Sequence, residues 1–149
     1  MLQCLFQCTF IVLSKELYDK SENEIESMIG DTNLFIRQGD CQEEFKSLAE
    51  AEIMIAEKQE RGKNFGLEAL CLIIEYGIKE LNLDQFEAKI KCDNKPSIKL
   101  FEKIGFKESA RSEVFDEITF TLAKDRFTVI ENMIMSLSVN KKVIEYVHS

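Results

Sequence analysis

The sequence predicts a mixed α/β domain, a sheet with strands in both orientations and helices on its faces. Three observations carry this expectation. Short apolar or alternating runs recur at Thr9–Leu13, Met28–Ile36, Ala51–Ala56, Gln85–Ile90 and Ile118–Leu122. Between the third and fourth, and again after the fourth, the apolar spacing changes from two residues to three and four, the helical period. The chain has 149 residues and 45% hydrophobic content, enough for one core, and contains no internal repeat or low-complexity run.

Each element has a local reason. Thr9 to Leu13 lies in the apolar run Cys8-Thr9-Phe10-Ile11-Val12-Leu13, too short to span a bilayer and without the basic leader of a signal peptide. A polar loop is expected next, then a strand from Met28 to Ile36 bearing Gly30 and Asp31. A loop around Gln38 to Ser47 leads to Ala51-Glu52-Ile53-Met54-Ile55-Ala56, which alternates as a half-buried strand does. From Gly66 to Leu81 a helix places Leu70, Cys71, Ile74, Ile78 and Leu81 on one face, and Glu68, Glu75, Lys79 and Glu80 on the other. The strand Gln85–Ile90 follows. Asn94-Lys95-Pro96-Ser97 opens a second helix, with asparagine as N-cap and proline in the first turn. Its apolar face is Ile98, Phe101 and Ile104; Gly105 closes it, and Phe106 starts an extended segment. The last strand, Ile118 to Leu122, alternates cleanly. From Lys124 onward the chain is weakly amphipathic and reads as a helix or an ill-ordered extension. The expected division is a domain over residues 1–123 and a C-terminal tail over 124–149.

Charge and composition exclude several functions. The formal net charge is -8, with 19 Lys and Arg scattered among 27 Asp and Glu, so no basic face is available for nucleic acid. The acidity serves solubility or a preference for cationic, amine-bearing substrates. Five cysteines, Cys4, Cys8, Cys41, Cys71 and Cys92, are odd in number and show no C-x-x-C pairing, which fits a reduced, cytoplasmic setting with no membrane partner. Cys4 and Cys8 read as core residues rather than metal ligands. The one histidine, His148, lies next to the C-terminus. Histidine-dependent nucleophilic catalysis and His-based zinc sites are therefore not expected, and no metal is.

The most chemically suggestive stretch joins the central strand to the first long helix. Turns of this kind bind anions, because small residues let the backbone approach and free helix N–H groups point at the ligand. Arg61 and Lys63 add two cations to this turn.

The turn Arg61-Gly62-Lys63-Asn64-Phe65-Gly66 resembles the acetyl-CoA signature of GNAT-type N-acetyltransferases, R/Q-x-x-G-x-G/A. Asn94-Lys95-Pro96-Ser97-Ile98-Lys99-Leu100-Phe101-Glu102-Lys103-Ile104-Gly105-Phe106 resembles their second signature, which ends in a G-F dipeptide. With Cys8–Leu13, Met28–Phe35, Phe86–Ile90 and the region of Val114, Phe115 and Glu117, the chain looks like the N-acetyltransferase 9 subfamily of the RimJ/RimL-like GNAT group. The resemblance runs from about Cys8 to about Leu122. It implies the GNAT acyl-CoA N-acyltransferase fold, an α+β arrangement with a mixed, mostly antiparallel sheet flanked by helices. Members carry an N-terminal strand and two helices before the segment matching Cys8, where only Met1 to Gln7 stands here. The implied fold is thus N-terminally truncated, with Thr9 to Leu13 left as an open edge.

The resemblance also implies a chemistry: an amine attacks the thioester of acetyl-CoA, a base removes its proton, and coenzyme A leaves as a thiolate, with no metal. Met54, Ile55 and Ala56 would bind the acetyl and pantetheine portions. Arg61, Gly62, Lys63, Asn64, Phe65 and Gly66 would cradle the pyrophosphate. Asn94 would contact the pantetheine arm, cap its helix, or both. Glu50 and Glu52, two residues apart and so on one face of a strand, are candidate bases, with Glu117 a third. Each is also readable as a solvent-facing strand residue. Ser97 is a candidate partner of the thiolate, or simply a polar residue in a first helical turn. Two positions depart from the pattern. Asn64 replaces the central glycine but tolerates left-handed geometry. Phe101 stands where many members carry the tyrosine that protonates the thiolate. The implied acceptor is a protein amine, protein N-termini and tubulin among them, with a role in microtubule stabilisation. A non-catalytic acyl-CoA-binding or interaction protein is the alternative.

Overall fold

The computed structural model describes residues 6–39 and 46–137. The chain order is β1 (Phe6–Leu13), α1 (Lys15–Ser21), α2 (Glu24–Ser27), β2 (Met28–Gln38), β3 (Ser47–Ile55), α3 (Phe65–Lys79), β4 (Gln85–Lys91), α4 (Lys95–Lys103), β5 (Lys107–Ser112), β6 (Glu117–Ala123) and α5 (Phe127–Leu137). The strands form one sheet in the order β1-β2-β3-β4-β6-β5. Every neighbouring pair is antiparallel except β3 and β4, which are parallel because α3 supplies the crossover between them. The expected mixed, mostly antiparallel sheet is therefore present.

One face of the sheet carries the core. Leu34, Ala49, Ala51, Phe86, Ala88, Phe120 and Leu122 pack there against Leu70, Cys71 and Ile74 of α3, Phe101 of α4, and Phe127, Ile130 and Ile134 of α5. The pleat turns the alternate residues of β3 and β4, including Glu50, Glu52, Glu87 and Lys89, to the other face.

Three expectations need adjustment. The stretch after β1, read as a polar loop, forms the short helices α1 and α2. Ser14 caps α1 by accepting from the Leu17 N–H, Asn23 caps α2 by accepting from Ile25 and Glu26, and α1 carries the pairs Lys15–Asp19 and Glu16–Lys20 four residues apart. Nothing in α1 is buried, so no apolar period marked it in the sequence. The chain after Lys124 takes the helical alternative, and α5 is docked rather than extended, with the Phe127 ring edge-on to Phe86 at 5.7 Å. The first strand starts at least three residues earlier than Thr9.

Cys71 is buried in the core, and Cys8 and Cys92 are half-buried free thiols. Cys4, Cys41 and His148 lie outside the described residues. Among the described helices none is long and apolar enough to cross a membrane.

Candidate functional site

The parallel pairing of β3 with β4 is short. It runs only from Leu48 opposite Gln85 to Glu50 opposite Glu87, after which β3 continues to Ile55 and β4 to Lys91 without pairing to each other. The strands separate toward their C-terminal ends, where ligands of open parallel sheets bind. A groove of about 570 Å³ opens there, lined by Ile53, Met54 and Ile55 of β3, the turn at Glu60–Asn64, and the first turns of α3 and α4.

The turn is built from left-handed backbone. Gly62 has φ 78° and Asn64 φ 67°, so asparagine does hold the conformation a glycine would normally supply. Asn64 starts α3 without a side-chain cap, and its carbonyl accepts the first helical bond, from Glu68. No described carbonyl or side chain accepts from the backbone N–H groups of Gly62, Lys63, Asn64, Phe65, Gly66 or Leu67. Such a run at a helix N-terminus offers main-chain donors of the kind that can hold an anion.

The two cations of the turn are already engaged. Lys63 Nζ lies 3.1 Å from the nearly buried carboxylate of Glu60, which neutralises it. Arg61 donates from Nε to the Ile55 carbonyl at 2.8 Å and from a terminal nitrogen to Ala56 at 3.4 Å. The amide run and the Arg61 charge, which carbonyl acceptors orient without neutralising, together make this turn electropositive.

On the α4 side, the Asn94 side-chain oxygen accepts from the Ser97 N–H at 3.3 Å, which is the capping role. Asn94 and Ser97 both line the groove. Phe101 does not. Its ring is buried edge-on against Phe106 at 5.0 Å, so the position carries packing and no hydroxyl.

The three candidate carboxylates stand apart from the groove lining. Glu50 pairs with Lys89 at 3.6 Å, and Glu117, separated from β3 by the whole of β4, pairs with Lys91 at 3.6 Å. Glu52 has no ion pair among the described residues. Burial first, then the charges of Glu50 and Asp31, push its carboxyl above the usual range. Its strand is fixed from behind by Thr32, whose hydroxyl donates to the Glu52 carbonyl at 2.8 Å.

The groove thus gathers Met54, Ile55, Arg61, Gly62, Asn64, Phe65, Gly66, Asn94 and Ser97, with Ala56 and Lys63 adjoining it in the chain. It does not gather Glu50, Glu52 and Glu117 into one cluster. Thr32 and Glu60 were not singled out from the sequence. Thr32 is a lone hydroxyl among the core-facing residues of β2, and Glu60 sits three residues before Lys63, a spacing that permits pairing.

Residues 7–107 match the family model described as an acetyltransferase (GNAT) domain. An N-acetyltransferase 9-like protein of Nematostella vectensis is 48% identical over 82% of this chain and 60% of its own length. An alpha/beta-tubulin-N-acetyltransferase 9 of Drosophila melanogaster is 49% identical over 74% of this chain and 56% of its own. The chain thus spans little more than half the length of these curated relatives. Among solved structures, RimJ of Mycobacterium smegmatis, in complex with CoA-disulfide, superposes with a TM-score of 0.63 at 13% identity, covering 76% of this chain and 57% of that one. That likeness establishes the fold. Family model, relatives and sheet agree: the chain belongs to the GNAT acetyltransferase family, in its N-acetyltransferase 9-like branch.

Proposed function

We propose that the chain is an acetyl-CoA-dependent N-acetyltransferase of a protein amine, with a tubulin N-terminus as acceptor, working in the cytoplasm. The observation that carries this reading is the run of N–H groups from Gly62 to Leu67, unpaired among the described residues, at the mouth where β3 and β4 part. A pyrophosphate needs such donors, and the open strand edge offers room for the arm attached to it. The tubulin acceptor is supported by two relatives named alpha/beta-tubulin-N-acetyltransferase 9, 49% and 42% identical to this chain.

Gly62 to Gly66 would hold the pyrophosphate, Met54 to Ala56 the acyl end, and Asn94 the arm between them. When bound, acetyl-CoA supplies a thioester that an amine can attack. Glu52 accepts the proton that the amine must lose, because a carboxylate with a raised pKa and no cationic partner among the described residues is the best base of the three. Glu50 and Glu117 are each paired with a lysine, Lys89 and Lys91. Ser97 is the hydroxyl that α4 brings to the groove, in place of a phenol at Phe101.

The test is transfer to a tubulin N-terminal peptide, followed by thiol release and by the mass of the peptide. Release should require a free α-amine and stop when that amine is blocked. Binding of acetyl-CoA without release would favour the non-catalytic alternative, with which the buried Phe101 is consistent. Release without peptide preference would remove tubulin as the acceptor.

A further inference from the structure

The free end of β3 poses a problem that the fold has to solve. Past Glu50 the strand has no β4 neighbour, and backbone carbonyls with no partner are costly unless something donates to them. On the β2 side the strand is held closely. A Cβ added to Gly30 would lie 2.0 Å from the Met54 carbonyl oxygen, so β2 can approach this end only because residue 30 has no side chain. Ala56 and Glu57 both donate their N–H to the Ile29 carbonyl, at 2.8 and 3.2 Å, which fixes the chain as it leaves the strand. The carbonyls of Ile55 and Ala56 are taken by Arg61, through its Nε and a terminal nitrogen.

Arg61 therefore spans two parts of the site. Its backbone belongs to the turn that leads into the cradle, and its guanidinium belongs to the strand end that lines the other wall of the groove. A planar fork can bind two carbonyls and keep their relative orientation, which an ammonium cannot. With Nε and one terminal nitrogen so engaged, the plane of the fork is set by the strand end rather than by the turn.

We propose that Arg61 is a positioning residue, tying the end of β3 to the cradle and setting the spacing between the two, rather than a ligand of the phosphate. This rests on the reading of the groove as a coenzyme A site. Two roles for Arg61 predict different losses. A phosphate ligand matters only for ligands that carry the pyrophosphate. A tie between strand and turn matters for whatever lies along the strand, charged or not.

The experiment compares coenzyme A with pantetheine, which lacks every phosphate, on the wild type, Arg61→Met and Arg61→Lys. Affinities are read by calorimetry for coenzyme A and by NMR titration for pantetheine, at a temperature where circular dichroism shows each variant folded. The expected result is that Arg61→Met weakens pantetheine by about tenfold and coenzyme A by at least as much, since coenzyme A loses the nearby charge as well. Arg61→Lys, which keeps the charge but not the fork, should weaken both as well. A loss of more than tenfold for coenzyme A with pantetheine untouched, restored by Arg61→Lys, would overturn the proposal and make Arg61 a phosphate ligand. Variants that melt earlier yet bind both ligands as the wild type does would also overturn it, leaving Arg61 a role in stability alone. Wild-type protein that binds neither ligand would overturn the coenzyme A reading itself, and the proposal with it.

Discussion

Replacing Glu52 with glutamine should slow acetyl transfer by about 100- to 10,000-fold, the usual contribution of a positioned base, while making the folded chain more stable at neutral pH. The two effects have one origin. Glu52 is an exposed residue of β3 beside Glu50 and Asp31, and partial desolvation together with those two charges disfavours its ionised form. A carboxyl whose pKa is raised on folding contributes most to stability below its unfolded pKa, and that contribution is lost as pH rises through the folded value. At pH 7 the folded wild type thus carries an unfavourable charge that the amide does not. Thermal melts across pH should show the variant ahead of the wild type at pH 7 and the gap closing below about pH 4, where the wild-type carboxyl is protonated in both states. Glu50→Gln should behave differently, because Glu50 has Lys89 as a partner and its loss frees that cation. An active, unstabilised Glu52→Gln would remove Glu52 from the proposed mechanism.

Phe86→Ala should cost about 3–5 kcal/mol of stability, against a total of roughly 5–15 kcal/mol for an ordinary domain. Phe86 is fully buried at the start of β4, and its ring meets Phe127 of α5 edge-on at 5.7 Å with an interplanar angle of 64°. The side chain touches both the sheet and the last helix, so the cavity left behind cannot be closed by moving one element alone. Urea denaturation measures the loss. A value below about 1 kcal/mol would mean that α5 and the sheet close over the gap, and that the core does not depend on their contact.

Much of this fold was legible in the sequence, for reasons that differ by element. Helix α3 announced itself because fifteen residues bury one stripe against the sheet, long enough for the helical period to repeat. Helix α4 was marked at both ends, by the Asn94 cap and by Gly105 after it. Helices α1 and α2 were missed because seven and four residues are too few for a period, and what holds them is capping and exposed ion pairs. The path of α5 stayed open because its apolar residues Phe127, Ile130 and Ile134 find their partner, Phe86 among others, some forty residues away.

The backbone of the turn was legible because its geometry is local. Asn64 and Gly62 hold the left-handed geometry that their residue types allow, and the free N–H groups follow from the helix start. What one sequence could not show was where the long cationic side chains go. Arg61 and Lys63 read as two charges offered to an anion, whereas Arg61 turns to the strand carbonyls and Lys63 to Glu60. Nor could it rank the carboxylates, since desolvation and the neighbouring acids act on Glu52 while Lys89, on the next strand, pairs with Glu50.

The most direct test of the central claim is a thermal melt of the chain with and without coenzyme A or acetyl-CoA, at ligand about 100-fold above its dissociation constant. Binding at the cradle should stabilise the fold by about 2.7 kcal/mol, which for a chain of this size raises Tm by roughly 5–10 °C. A melting temperature unmoved by either ligand would contradict the assignment of the Gly62–Gly66 turn as a pyrophosphate cradle.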